Sequence, residues 1–414
     1  MSSTSKHFIG IDLGKNSASV CITDERGIVS SEFEFSVERE SIELVAKTFP
    51  PCSNIAIENS TNSFAVFHIL RSAGHNVTMS EPVMTKAIAN SKLKTDKVDA
   101  KTLAHLLRCE YLPTVWVPDQ ETYEMRLLTS HRASLQRSVI RLKNKIHSVL
   151  HRNLIKHEFS DLFGLTGRKW LKSLKLAPYE QIQLKTCLAS LEPLEEQVSV
   201  VEKELAQRAY EKPKVNLLLG ITGIDYISAV TILASIGDVK RFCAAKKLSS
   251  YFGLVPSVYQ SGQSEYHGRI TKHGSSIVRW TLVQCANAAV KFDEKMKRFY
   301  NKIKAKKGHN KAVVAVASKM ARIIWHMLTE NEQYRDEVPH RKENKLAKLR
   351  IRATGIRLKG GTNVKNPGIP KVQGGSNAKK RKQQLAAMST NGGTTAKEKT
   401  ASKEIIIEDF NLKT

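Results

Sequence analysis

The chain has 414 residues, and 66 Lys and Arg against 39 Asp and Glu leave a net charge of +27 and a pI near 9.8. That balance implies an anionic polymer as partner, because neutralising phosphates releases counterions and dominates nucleic-acid affinity; a membrane surface is the weaker alternative. No run of about 18 uncharged apolar residues is present and the N-terminus lacks the apolar core of a signal peptide, so a soluble, cytoplasmic protein with no membrane partner is expected.

In chain order, the apolar run that Asp12 ends predicts a first strand, Ala18 to Thr23 a second and Ile28 to Phe35 a third, the last two joined by a turn at Asp24 to Gly27. A helix over Glu38 to Thr48 leads to a short buried strand ending at Glu58. Another helix, Phe64 to Ala73, stops at Gly74, and Asn76 to Ser80 reads as a last strand. A helix running to about Cys109 opens with Asp96 and Asp99, three apart and therefore on one face. The order βββαβα, with acids on the first strand, the fourth strand and a late helix, is that of an RNase H-like nuclease core. Asp12, Glu58, Asp96 and Asp99 could thus converge on a divalent metal, which takes several hard oxygen ligands in phosphodiester chemistry.

Each acid also has an ordinary structural reading. Asp12-Leu13-Gly14 could be a strand-to-turn exit and Glu58 a solvated strand end. Asp96 could be an N-cap, and Asp99 a first-turn acid favoured by the helix dipole. The joint arrangement is harder to reach by accident than any one member.

The length suggests roughly two to three folded domains, read as 1–118, 119–213 and 214–338, with a basic tail at 339–414. From Tyr123 to Lys156 apolar residues recur at helical spacing while Arg137, Arg141, Lys143 and Lys145 fill other positions. Glu180 to Tyr210 repeats the pattern, and paired the two would make an antiparallel coiled-coil arm. A structural spacer and a nucleic-acid-binding, oligomerising arm fit the arm's charges equally well. The third region opens at Leu217 to Ile224 with a Gly-punctuated turn between short apolar helices, resembling a helix-hairpin-helix. A helix from Ser275 to Lys291 carries Arg279, and Lys272 lies just before it; both could contact DNA or be solvated charges. The tail is rich in Lys, Arg, Gly, Asn and Thr and is expected to be disordered. Six scattered cysteines without a C-x-x-C pair argue against a zinc site or disulfide framework and for reduced, mostly buried thiols.

Glu58, the Asp96/Asp99 pair, Ile221-Thr222-Gly223-Ile224, Gly253-Leu254-Val255-Pro256, Gln260-Ser261-Gly262 and Ile270-Thr271-Lys272-His273-Gly274 occur together and in order. Their set resembles the DEDD transposases of bacterial insertion sequences, the bridge-RNA-guided recombinases, over about residues 6 to 330. The resemblance implies a RuvC-like domain, a coiled-coil arm and a mainly helical transposase domain bearing a nucleophilic serine. By it, Asp12, Glu58, Asp96 and Asp99 resemble the acids that hold Mg²⁺ (or Mn²⁺), and Ser261 the serine that attacks DNA. It further implies DNA element ends and target as substrates, a structured guide RNA, a bacterial nucleoid setting, and a dimer or tetramer with composite active sites.

Two other classes compete. A RuvC-like nuclease or resolvase would use water and leave Ser261 structural. An actin-like ATPase would explain Gly10-Ile11-Asp12-Leu13-Gly14 as a phosphate loop, but residues 119 to 340 offer no second such loop. A non-enzymatic RNA-binding protein ranks third.

Overall fold

A computed structural model describes residues 6–89, 95–262 and 264–356. The N-terminal part is a mixed α/β domain built on one five-stranded sheet. Strands β1 (Phe8–Leu13), β2 (Ser17–Thr23) and β3 (Val29–Ser36) form an antiparallel meander, and β4 (Asn54–Glu58) and β5 (Asn76–Ser80) add in parallel on the other side of β1, giving the order β3-β2-β1-β4-β5. The alternation of side chains in strands separates two faces. Ile9, Ile11, Ile55 and Ile57 point to one, where they pack with Ile42 and Ala46 of α1 (Arg39–Thr48) and Val66 and Leu70 of α2 (Ser63–Ser72). Gly10, Asp12, Ala56 and Glu58 take the other.

Helix α3 (Pro82–Ile88), absent from the sequence expectations, follows β5, and α4 (Asp96–Arg108) lies across the second face. The approach of α4 is closer than any side chain at position 10 permits. A Cβ on Gly10 would stand 1.9 Å from the Ala100 carbonyl oxygen and 2.6 Å from the Ala104 amide nitrogen. Ala100 and Ala104 are themselves fully buried, so helix backbone rests on strand backbone. Leu103 then packs on Ala56 and Leu112.

Helices α5 (Gln120–Arg152) and α7 (Pro178–Ala209) run antiparallel. Their pairing order shows it: Arg152 meets Glu180, Lys143 meets Glu195, Arg132 meets Glu202 and Arg208 meets Glu124. Between them Val139, Ile146, Leu150, Leu184, Leu188 and Leu191 make a core closed by α6 (Leu165–Ser173).

The remaining region is helical except for one hairpin. Helices α8 (Pro213–Leu219) and α9 (Tyr226–Ile236) flank the turn at Gly220 to Asp225, followed by α10 (Ala245–Tyr251), strands β6 (Pro256–Ser261) and β7 (Ser264–Ile270), α11 (Ser276–Phe292) and α12 (Glu294–Glu330). Helix α12 breaks at Gly308, whose φ of 78° and ψ of 172° leave the helical region. It contains the one described stretch long and apolar enough to cross a membrane, and half of that stretch is buried in the protein.

The basic segment beginning at Pro339, expected to be disordered, opens instead with helix α13 (Pro339–Thr354). Helices α8 to α12 enclose a third hydrophobic core, in which Leu349 and Ala353 are buried, and Lys345 donates to the carbonyls of Leu219 and Ile221, each at 2.8 Å. The rest of that segment lies outside the described residues. All six cysteines are free, but Cys52, Cys109 and Cys243 are exposed, so only half are the buried thiols expected.

Candidate active site

The four acids fall on or beside one edge of the sheet. β1 and β4 pair in parallel up to Ile11 opposite Ile57, and Asp12 and Glu58 are the next residue on each strand. They therefore sit side by side at about the 4.8 Å strand spacing, on the face that α4 covers. Asp12 and Glu58 are half-buried among apolar neighbours. Gly10 sets the depth of α4, and Asp99 precedes Ala100, the residue pressed on Gly10, by one position. The cap of α4 is Thr95, whose Oγ1 accepts from the Val98 amide at 3.3 Å, which removes the N-cap explanation of Asp96. Asp96 is exposed and Asp99 half-buried, both in the first turn, where the helix dipole favours negative charge.

Carboxylate oxygens are the donors that Mg²⁺ and Mn²⁺ prefer. Among the described residues, however, no three His, Cys, Asp or Glu side chains stand close enough together to hold a metal ion. The acids share an edge and a donor chemistry without forming a closed ligand set.

Ser261 ends β6, at the tip of a hairpin with no apolar cover. Three serines lie in this ribbon, and their hydroxyls differ. Ser257 Oγ donates to the Arg269 carbonyl at 3.1 Å, and Ser264 Oγ donates to the Ser261 carbonyl at 3.0 Å. Ser261 Oγ is exposed and has no hydrogen-bond partner among the described residues. Gly262 follows at φ 58°, with nothing within 4 Å of where a Cβ would stand, so the turn is open.

The basic candidates separate in the same way. Arg137, Arg141 and Lys145 are exposed at four-residue intervals along α5 and line a shallow depression with Ile140, Asn144 and Ser148. Lys143 faces inward, paired with Glu195 at 2.8 Å and 5.0 Å above the Phe163 ring. Lys272 is exposed in a left-handed conformation at φ 58°. Arg279 spends its guanidinium on the Phe252 and His273 carbonyls, at 3.2 and 3.0 Å, which braces the loop behind the hairpin.

Two features escaped the sequence reading. Residues 295–311 on α12 hold eight Lys and Arg and no acid, and Arg298, Lys302, Lys306, Lys307 and Lys311 are exposed; the signal was present as an acid-free run. The other is Trp116, between the sheet and the arm. Its ring lies 5.3 Å from the Arg126 and 4.7 Å from the Arg241 guanidinium, over Gly237. Both arginines donate to carbonyls at the C-terminal end of α9: Arg126 to Ala234 and Ser235, Arg241 to Ser235 and Ile236. Nothing in the local sequence announces that cluster, because its members are far apart in the chain.

Comparison with known proteins places these segments. A DEDD transposase profile of the IS110 type matches residues 9–154, which contain all four acids, and the profile described as "Transposase IS116/IS110/IS902 family" matches residues 215–301, which contain Ser261. Together the two segments span more than half of the chain. The protein belongs to the IS110/IS116/IS902 transposase family. This transposase is similar to the transposase of insertion element IS1328 from Yersinia enterocolitica, at 26% identity over 78% of the present chain and 96% of that one. The transposase of IS1111A from Coxiella burnetii is 26% identical over 79% and 91%. A pilin gene-inverting protein of Moraxella bovis is 25% identical over 80% and 98%. The chain is accordingly a DNA transposase or recombinase.

Proposed function

We propose that this transposase cuts and rejoins DNA through the hydroxyl of Ser261, at sites chosen by a structured RNA. The observation that carries the reading is the contrast among the three hairpin serines: only Ser261 presents an exposed hydroxyl with no partner among the described residues. In the step proposed, Ser261 Oγ forms a bond to phosphorus, the bond from phosphorus to the 3′ oxygen breaks, and the hydroxyl proton ends on that leaving oxygen. A phosphoserine link conserves the ester for rejoining. A serine hydroxyl is a weak nucleophile until a base or cation assists it.

The strand order and the shared edge of Asp12, Glu58, Asp96 and Asp99 support an RNase H-like, RuvC-like reading of the sheet domain, with these acids as the holders of Mg²⁺ or Mn²⁺. Such an ion supplies charge neutralisation at the phosphate and a more acidic bound hydroxyl. The described carboxylates do not by themselves close into a ligand set. Acids and serine belong to different parts of the chain, which fits a homo-oligomer whose active sites draw on two protomers. The coiled-coil reading of α5 and α7, with the stripe Arg137, Arg141 and Lys145, assigns the arm to guide RNA, since double-stranded RNA is recognised through shape and phosphates.

The test is a denaturation-resistant protein–DNA adduct formed by the full chain with its RNA and element-end DNA. Ser261→Ala should abolish the adduct, while Ser257→Ala and Ser264→Ala retain it. Asp99→Asn or Glu58→Gln should stop strand cleavage and leave DNA binding within about twofold, because metal chemistry depends on ligand charge. An adduct that survives Ser261→Ala moves the nucleophile elsewhere. Strand cleavage by the unaltered protein with no adduct at all returns the reading to a nuclease that uses water.

A further inference from the structure

The hairpin that presents Ser261 also presents two tyrosines that the reaction as proposed does not use. Tyr259 and Tyr266 face each other directly across the β6–β7 ladder, with ring centroids 6.4 Å apart and planes tilted by 34°. They are 66% and 67% exposed, an uncommon state for aromatic rings on opposed strands. Strand alternation decides which face they occupy. Ser261 is two residues beyond Tyr259, and its ladder partner Ser264 is two residues before Tyr266. The four side chains therefore share one face. Val258, Gln260, Glu265 and His267 take the other, where His267 pairs with Glu265 at 3.3 Å.

We propose that Tyr259 and Tyr266 form a stacking platform for the DNA base next to the phosphodiester that Ser261 attacks. The inference rests on the nucleophile reading given above. Two residues along a strand advance about 6.8 Å, the length of about two base steps of a nucleic-acid strand. A base lying on the tyrosines thus belongs to a nucleotide one or two positions from the phosphate at Ser261. Gly268 lies beside this face: a Cβ there would stand 2.4 Å from Ser257 Oγ and in ordinary contact, at 3.6 Å, with the Tyr259 ring. The absent side chain leaves space for Ser257 Oγ, which is anchored on the Arg269 carbonyl.

Charge favours a nucleic-acid strand as the occupant, and the Ser261 hydroxyl on the same face makes it the DNA strand under attack. From Tyr266 through Arg279 the chain has no acid, and Arg269 and Lys272 are exposed cations within that stretch. Exposed rings with cations close by in the chain suit single-stranded nucleic acid, whose bases stack on rings while the backbone lies on charges. Such stacking accepts every base, which suits an enzyme whose target sequence would be read by RNA pairing. A cross-strand aromatic pair also steadies a two-stranded ribbon, so the experiment must separate platform from brace.

The full chain with Ser261→Ala is bound to its RNA and to element-end DNA that carries 2-aminopurine one or two positions from the cleaved bond. Stacking should quench the probe, Tyr259→Ala and Tyr266→Ala should restore its fluorescence, and Tyr259→Phe and Tyr266→Phe should keep it quenched, because the ring and not the hydroxyl does the stacking. Val258→Ala, on the opposite face, should change nothing. With Ser261 intact, each Ala variant should slow adduct formation or weaken DNA binding by about 5- to 150-fold, and each Phe variant by no more than about twofold. Quenching that persists in both Ala variants overturns the proposal. So does a defect in the Phe variants equal to that in Ala, and so does a drop in oligomer mass in the Ala variants without RNA or DNA, which would make a second copy of the chain the occupant. The quench is read without chemistry at Ser261, so failure of the nucleophile assignment and failure of the platform are separate results.

Discussion

Replacing Gly10 with alanine tests the packing that sets the acid edge. The added Cβ would lie 1.9 Å from the Ala100 oxygen and 2.6 Å from the Ala104 nitrogen. Ordinary contact begins near 3.4 Å, so α4 must retreat by about 1.5 Å along that line, given how steeply dispersion turns to repulsion at short range. Neither neighbour can yield alone, because both are helix backbone. Overpacking of this kind costs about 1 to 3 kcal/mol. The effect on catalysis should be larger than the effect on stability, because Asp96 and Asp99 ride on the displaced helix while Asp12 and Glu58 stay with the strands, and a misplacement of about 1 Å can cost about 100-fold in rate. Gly74→Ala is the control: its φ of 91° is strained for alanine, but nothing lies within 4 Å of the new carbon, so it should lose about 1 to 2 kcal/mol with little change in activity. Urea unfolding gives the stability of each variant and the adduct assay gives the rate. If Gly10→Ala forms adduct within about threefold of the unaltered protein while folded, the position of α4 does not control the chemistry.

Reversing Arg137, Arg141 and Lys145 to Glu together should weaken RNA binding and lower the slope of log affinity against log salt by roughly 0.7 to 0.9 for each phosphate that the stripe no longer neutralises; an unchanged slope in filter binding would take the RNA off this stripe. RNA-free protein that recombines its sites at the normal rate would remove RNA guidance altogether. Burial holds the Lys345 ammonium down to about 8, against the pull of Asp225 and Cys285. Between pH 8 and about 10.5 the unfolded chain then binds the extra proton, so this residue's contribution makes stability rise with pH. Cys21 and Cys285, pushed up to about 11 by burial, act in the opposite direction. The measurable quantity is therefore the difference between unaltered protein and Lys345→Met, which should grow in favour of the former across that window; parallel pH profiles would contradict it.

The sheet was legible because its signals are local. Apolar runs ended by Asp12 and Glu58, a turn at Asp24 to Gly27 and a stop at Gly74 mark strands and helices without reference to the rest of the chain. The edge itself was legible only in part, since the packing of Gly10 against Ala100 and Ala104 joins positions about 90 residues apart. The β6–β7 hairpin gave no strand signal because both of its faces are open, and a ribbon with no buried side has no apolar alternation. Helix α13 was hidden differently: Leu346, Leu349 and Ala353 do recur at helical spacing, but basic residues surround them and the composition reads as a tail.

The third core has a practical consequence for dissecting the protein. Its buried residues come from four separate stretches: Met125 on α5, Leu205 to Ala209 on α7, the run from Val215 to Tyr334, and Leu349 with Ala353 on α13. A fragment cut at 214 and 338 would keep the serine hairpin and α8 to α12 but lack the walls supplied by the other three stretches. It would also lack Arg126 at the end of α9 and Lys345 at the end of α8, removing the side-chain donors of the Ala234 and Leu219 carbonyls. Inactivity of such a piece would therefore report a broken core as well as the loss of the N-terminal acids, and could not isolate the role of Ser261. Serine chemistry should be tested by point substitution in the full chain.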